Sequence, residues 1–122
     1  MSDTIQIIAT QPRTFGERCC ADLARLPDGI AEQISAQLQL LAHPIRVQIL
    51  DLLIRHAGQV CVCDLEAALP VKQATVSHHL RLLRDGGLID CERRGQWAYY
   101  VVRPAALDTV RAQIDGLLAG RA

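Results

Sequence analysis

The chain has 122 residues and a formal net charge of zero, so it is one domain's worth of sequence and no generic polycation for nucleic acid. Half of it is hydrophobic and only 3% aromatic, which permits an aliphatic core, but no apolar run approaches the ~20 residues of a membrane span. Its start, MSDTIQIIATQPRTFGERCC, has no basic stretch leading into a long apolar block, which reads against a secretory signal and for a cytoplasmic protein.

Residues 1 to 18 show no clear period and read as an arm. A short helix is expected to begin near Cys20 and to stop before Pro27, because the residue before proline avoids the helical region. Residues 1–27 are therefore taken as an arm and short helix carrying the pair Cys19-Cys20, and residues 28–120 as the folded domain. Asp28 suits the N-cap of a helix over Gly29 to Leu41, with Ile30, Ile34, Leu38 and Leu41 as its stripe. Pro44 suits the first turn of the next helix, PIRVQILDLLIRHAG, with Ile45, Ile49, Leu52 and Leu53 toward the core and Gly58 as its stop.

A short helix is expected over roughly Cys61 to Leu69, closed by Pro70. After a turn at Val71 to Gln73 comes KQATVSHHLRLL, residues Lys72 to Leu83. Val76, Leu80 and Leu83 recur at i, i+4, i+7 and make one buried stripe. His78, Ala74 and Arg81 fall across the helix from Leu80, and the N-terminal end holds small polar residues. An ordinary surface helix shares this pattern. Two helices joined by a short turn, the second with that polar end, make a helix-turn-helix suited to a DNA major groove.

Beyond Gly87, LIDCERRGQWAYYVV holds two strand-prone runs, Leu88 to Arg93 and Trp97 to Val102, around Arg94-Gly95-Gln96. This is a hairpin with arginines at its tip, fit for a DNA backbone or minor groove, or else a solvated basic turn. From Lys72 to Arg103 six basic residues stand against Asp85, Asp90 and Glu92, a local excess of three that the neutral total hides. Pro104 opens a last helix with Leu107, Val110, Ile114 and Leu117 on one face and Gly120 as its stop. This helix and the one from Gly29 carry more apolar surface than a small core needs, which suggests a homodimer interface, unless both pack within one subunit. The expected fold is mainly α with a small β-hairpin, a winged helix-turn-helix. The DNA contacts expected are Gln73, Thr75, Ser77, His78 and Arg81 on the helix, with Arg93, Arg94 and Gln96 at the wing.

Five cysteines occur, Cys19, Cys20, Cys61, Cys63 and Cys91, an odd number that points away from a disulfide framework and toward metal or thiol chemistry. Residues two apart on a helix diverge by about 200°, whereas on an extended segment they point the same way. Cys61 and Cys63 can therefore grip one ion only if the helix start unwinds or bends. A helix N-terminus also lowers a thiol pKa, which favours the thiolate. Cys19-Cys20 offers a second pair, so Cys19, Cys20, Cys61 and Cys63 are the candidate ligands for a soft ion. Cys91 alternates with Ile89 and is expected to pack inward, and His43 and His56 read as helix-end residues that nothing pairs at ligand spacing.

LLAHPIRVQILDLL, CVCDLEAAL, QATVSHHLRLLRDGGLI and RRGQWAYYVV, in this order, resemble the ArsR/SmtB family of metal-responsive repressors over about residues 36 to 118. The resemblance implies a homodimeric winged helix-turn-helix that binds operator DNA without metal and leaves it when metal binds. Cys61-Val62-Cys63-Asp64-Leu65 resembles the inducer box of the arsenic and cadmium/lead sensors. Glu66 stands where arsenic repressors with a three-cysteine box have the third, and Cys19-Cys20 can supply it, a layout similar to relatives in which N-terminal cysteines of one subunit meet cysteines of the other. The last helix has no histidine, unlike the zinc and cobalt sensors. The reading is a repressor released by As(III), with Sb(III) as a near-twin and no organic cofactor. The alternatives are Cd(II)/Pb(II) as inducer, or a thiol redox or reactive-sulfur signal. An enzyme is not expected, since a thiol oxidoreductase has Cys-x-x-Cys and this chain has Cys-x-Cys.

Overall fold

The structure is a computed structural model that describes residues 23–120. Five helices and a three-stranded antiparallel sheet follow in the order α1 (Ile30–Leu41), α2 (Pro44–Arg55), β1 (Val60–Cys61), α3 (Val62–Ala68), α4 (Gln73–Asp85), β2 (Ile89–Arg94), β3 (Trp97–Val102) and α5 (Pro104–Leu118). This is a winged helix-turn-helix, with α3 and α4 as the two-helix unit and β2–β3 as the wing. The sheet order is β1-β3-β2.

α1 does not begin as expected. Its N-cap is Gly29, at φ 85°, with no side-chain cap, and Asp28 lies one residue too early. Ile30 N–H bonds the carbonyl of Pro27 at 3.1 Å, so Asp28 sits inside a turn and its carboxylate is 3.9 Å from Arg25. A left-handed backbone favours glycine, which is why the turn closes there. The helix expected before Pro27 has no helical residue in its described part, 23–26. The rest of it, with the Cys19-Cys20 pair, lies outside the described residues.

α2 starts as its proline dictates, and the His43 ring caps it by accepting the Ile45 N–H at Nδ1, 3.1 Å away. It stops at Arg55, and Gly58 (φ 72°) instead shapes the turn into β1. β1 itself was not expected. It takes Val60 and Cys61 out of the helix and pairs Val60 with Tyr100 and Cys61 with Tyr99. α4 ends in a Schellman-type turn, with Leu88 N–H on the Leu83 carbonyl at 3.0 Å around left-handed Gly87.

The core lies between α2, α3, α4 and the base of the sheet. Ile49, Leu53, Leu65, Val76, Leu80 and Leu83 are all buried to 1% exposure or less. The Val76–Leu80–Leu83 stripe read from periodicity is thus entirely interior. On α1, Ile34 is buried but Leu38 stays 41% exposed, while Leu40 and Leu41 turn to the core instead. α5 packs beside α1 through Val110 and its neighbours. Leu80→Ala should cost about 2–5 kcal/mol in chemical denaturation, since it empties a fully packed site. A loss below ~1 kcal/mol would show that α4 is not seated on this core.

Candidate metal centre and nucleic-acid interface

The Cys61–Cys63 pair converges because Cys61 is not helical. It is the N-cap of α3, extended at φ −106° and ψ 172°, and it also ends β1. That bend brings the two Sγ atoms to 2.6 Å of each other, which a regular helix forbids. Asp64 fixes the bend. Its carboxylate accepts the Cys61 N–H at 3.0 Å and the Cys61 thiol at 3.3 Å. Sequence reasoning assigned Asp64 no role, although Cys-x-x-Asp before an apolar residue has the spacing of a capping box. Cys61, Cys63 and Asp64 are the one group of three potential ligands found among the described residues, with their donor atoms within 4.8 Å of one another.

The electrostatics run against one expectation. The Cys61 thiol is pushed up rather than down, by its hydrogen bond with Cys63 first, then by burial and by the charge of Asp64. Asp64 is held below the usual carboxylate range, chiefly by the Cys61 backbone N–H. The helix-start effect on Cys61 is outweighed by these neighbours. The Cys61 thiol therefore holds its proton more tightly than a free thiol, and a cation that takes its thiolate must displace that proton.

Cys91 packs apart from this group. It is half-buried on β2, facing Tyr100 across the ladder, as its alternation with Ile89 suggests. The Tyr100 hydroxyl is raised mainly by burial. His56 is the exposed C-cap of α2. His43 caps α2, and its ring centroid lies 4.3 Å from that of His79.

The candidate DNA face is a polar surface on α4. Gln73, Ser77 and Arg81 recur at i, i+4, i+8 and are exposed, as are Ala74 and His78 beside them. Thr75 is half-buried, and His79 is buried among the helices. At the wing, Gly95 (φ 64°) makes the turn after Arg94 pairs with Trp97. Arg93 and Gln96 are exposed. Arg94 is drawn back: its guanidinium lies 4.8 Å over the Tyr99 ring and 3.4 Å from the Glu92 carboxylate.

Fold and site together define a winged helix-turn-helix regulator with a dithiol at the front of its two-helix unit. Residues 43–90 match the model of the bacterial regulatory protein arsR family. The chain is 39% identical to the arsenic resistance transcriptional regulator ArsR1 of Pseudomonas putida, over 57% of this chain and 54% of that one. It is 33% identical to the arsenical resistance operon repressor of Staphylococcus xylosus, over 69% of this chain and 79% of that one. The chain thus spans about half the length of the first relative and most of the second. A homodimeric winged helix-turn-helix DNA-binding domain from Mycobacterium bovis, a possible ArsR-family regulator, superposes with a TM-score of 0.56 at 30% identity, over 75% of this chain and 81% of that one. The chain belongs to the arsR family of bacterial regulatory proteins. That family consists of transcriptional regulators.

A proton count separates two classes of ligand at this dithiol. Cd²⁺ displaces one proton for each protonated thiol it binds. Arsenous acid releases none, because each As–S bond formed from As(OH)₃ and a thiol expels water. Cd²⁺ affinity should therefore rise with pH from 6 to 8, with buffer-dependent proton release in calorimetry. As(III) affinity should stay nearly level over that range. A Cd²⁺ affinity that is flat with pH would show that the Cys61 thiol is not held in its protonated form.

Proposed function

We propose that this protein is a homodimeric repressor that holds operator DNA with its thiols empty and leaves it when As(III) binds them. The observation that carries the reading is the 2.6 Å approach of Cys61 and Cys63 at the strand–helix junction directly before the helix-turn-helix. The names of the relatives support it, since both are regulators of arsenic resistance. As(III) bonds three thiolates in a pyramid, so Cys61 and Cys63 supply two. Cys19 or Cys20 on the arm of residues 1–27 supplies the third, from the same subunit or from its partner. Sb(III) has the same valence and fits the same set.

The winged domain, residues 28–120, dimerises through α1 and α5. A shallow groove between them is lined by Leu26, Ala31, Ile34, Leu38 and Leu117, with Leu117 38% and Leu118 80% exposed. An apolar strip of this kind is what a second copy covers. The base-reading residues are Gln73, Thr75, Ser77, His78 and Arg81, inserted in the major groove. Arg93, Arg94 and Gln96 attend the backbone at the wing. No described helix is long and apolar enough to cross a membrane. The repressor acts in the cytoplasm, beside the DNA it reads.

A second reading keeps the mechanism and changes the ion. Asp64 adds a hard oxygen to the two sulfurs, which suits Cd(II) or Pb(II) better than As(III). Mobility shifts on the upstream region of the protein's own operon, with As(III), Sb(III), Cd²⁺, Pb²⁺ and Zn²⁺ in parallel, decide between them. As(III) should release the DNA, and Cys61→Ser should abolish release with DNA binding intact. Full release of the Cys61→Ser variant would remove this dithiol from the sensor. At the wing, Arg93→Ala should weaken binding to all sequences and lower the salt slope by about 1. Arg94→Ala should do less, because its guanidinium is already engaged on Tyr99. An unchanged salt slope in Arg93→Ala would take the wing off the DNA.

A further inference from the structure

His79 is the one polar side chain fully buried among the described residues, at 5% exposure, and it sits on the recognition helix α4. Its Nδ1 lies 3.2 Å from Nη1 of Arg46 on α2. The same guanidinium donates from Nε to the Leu40 carbonyl at 2.7 Å and from Nη2 to the Gln39 carbonyl at 3.2 Å. Those carbonyls belong to the last turn of α1, where carbonyls lack partners within the helix. One arginine thus joins α1, α2 and α4. A guanidinium only donates, so Nδ1 of His79 must accept, and the ring is neutral with its proton on Nε2.

We propose that Arg46 is the positioning residue of the recognition helix: it ties α4 to the end of α1 through neutral His79, and acid releases the tie and lowers operator affinity. This rests on the DNA-binding reading above. Protonating Nδ1 would set an N–H and a positive charge against the guanidinium. Among the described residues no acid faces His79 to compensate. The groups facing His79 are Arg46 and His43 from α2 and His78 from α4 itself, while the contacts from α1 are carbonyls on Arg46. Burial first, then the charges of His43, Arg46 and His78, hold the imidazole below its usual value. The sign follows. A released or unfolded His79 takes its proton near pH 6.5, the ordinary value, while the tied one stays neutral to lower pH. The tie is intact above about pH 6.5 and weakens as pH falls from there toward the lowered value.

The test measures the full chain on a duplex of its own upstream region from pH 7.5 to 5.5, in the reduced, ion-free state. Amide hydrogen exchange of the α4 peptides is followed without DNA over the same range, corrected for intrinsic rates. The unaltered protein should lose up to about tenfold in affinity, because pH 5.5 lies about one unit below the ordinary histidine value and linkage gives at most a factor of ten per pH unit, and its α4 amides should lose protection in step. Asparagine offers an amide oxygen close to where Nδ1 stands. His79→Asn should therefore bind within about threefold at pH 7.5 and show neither loss. His78→Asn should bind more weakly throughout yet keep the fall. A level profile in the unaltered protein, or an equal fall in His79→Asn, overturns the proposal. If no duplex is bound at any pH, the DNA reading fails, and the exchange profile of the unaltered protein alone decides whether the tie responds to acid.

Discussion

The bend at Cys61 is held by one carboxylate. Asp64 accepts the N–H of Cys61 at 3.0 Å, which ends β1 and begins α3 in the same residue. That bond reinforces a change from extended to helical that the pairing of β1 with β3 and the burial of Leu65 also impose. The two thiols take their common direction from this change. The spacing Cys-x-Cys has chemical meaning only at this junction. An extended run would share a face but start no helix, and a helix would set the sulfurs on opposite sides.

The same residue is a crossing point for the rest of the domain. On one side Cys61 pairs with Tyr99 on β3, and Arg94 stacks on the Tyr99 ring from the turn of the wing. On the other side it leads into α3, whose Leu65 is fully buried against the core shared with α4. A ligand that shifts Cys61 therefore pulls on the wing and on the helix-turn-helix together. The Arg46–His79 contact links α4 to α2 and, through the Leu40 carbonyl, to the end of α1. The recognition helix is thus linked to two small polar devices, one built of thiols and one of an imidazole, with aliphatic packing supplying the bulk of its stability.

Periodicity made the helices legible, because each buried stripe is repeated three or four times. Val76, Leu80 and Leu83 are all interior as read, and Pro44 and Pro104 open their helices because proline suits a first turn. The wing was legible from its β-prone runs around Gly95. β1 was not, since two residues carry no period, and its pairing is fixed only by β3, more than thirty residues away. The start of α1 was misplaced by one residue because Asp28 and Gly29 both suit a cap and only the backbone conformation chooses between them. At the dithiol, residue types and spacing were plain. The raised Cys61 thiol was not, because it depends on distances to Cys63 and Asp64. His79 looked like one of two similar histidines, and only its burial and Arg46 tell it from exposed His78.

On the proposed reading, the energies involved are large enough for so small a junction to act as a control point. Moving a two-state protein from almost wholly bound to almost wholly released takes about 5.5 kcal/mol of differential affinity, and typical coupling is ~1–3 kcal/mol. Thiolate sites on structural metals reach apparent free energies of ~10–16 kcal/mol, whereas a helix cap such as that on α3 is worth about 1 kcal/mol. An ion that needs a third sulfur can therefore override the Asp64 cap and still bind tightly. The cap is strong enough to preset the two thiols and weak enough to yield. Since Cys61 is shared by β1 and α3, an ion bound as proposed would place the strain of yielding on the elements next to α4 and the wing, rather than in a loop.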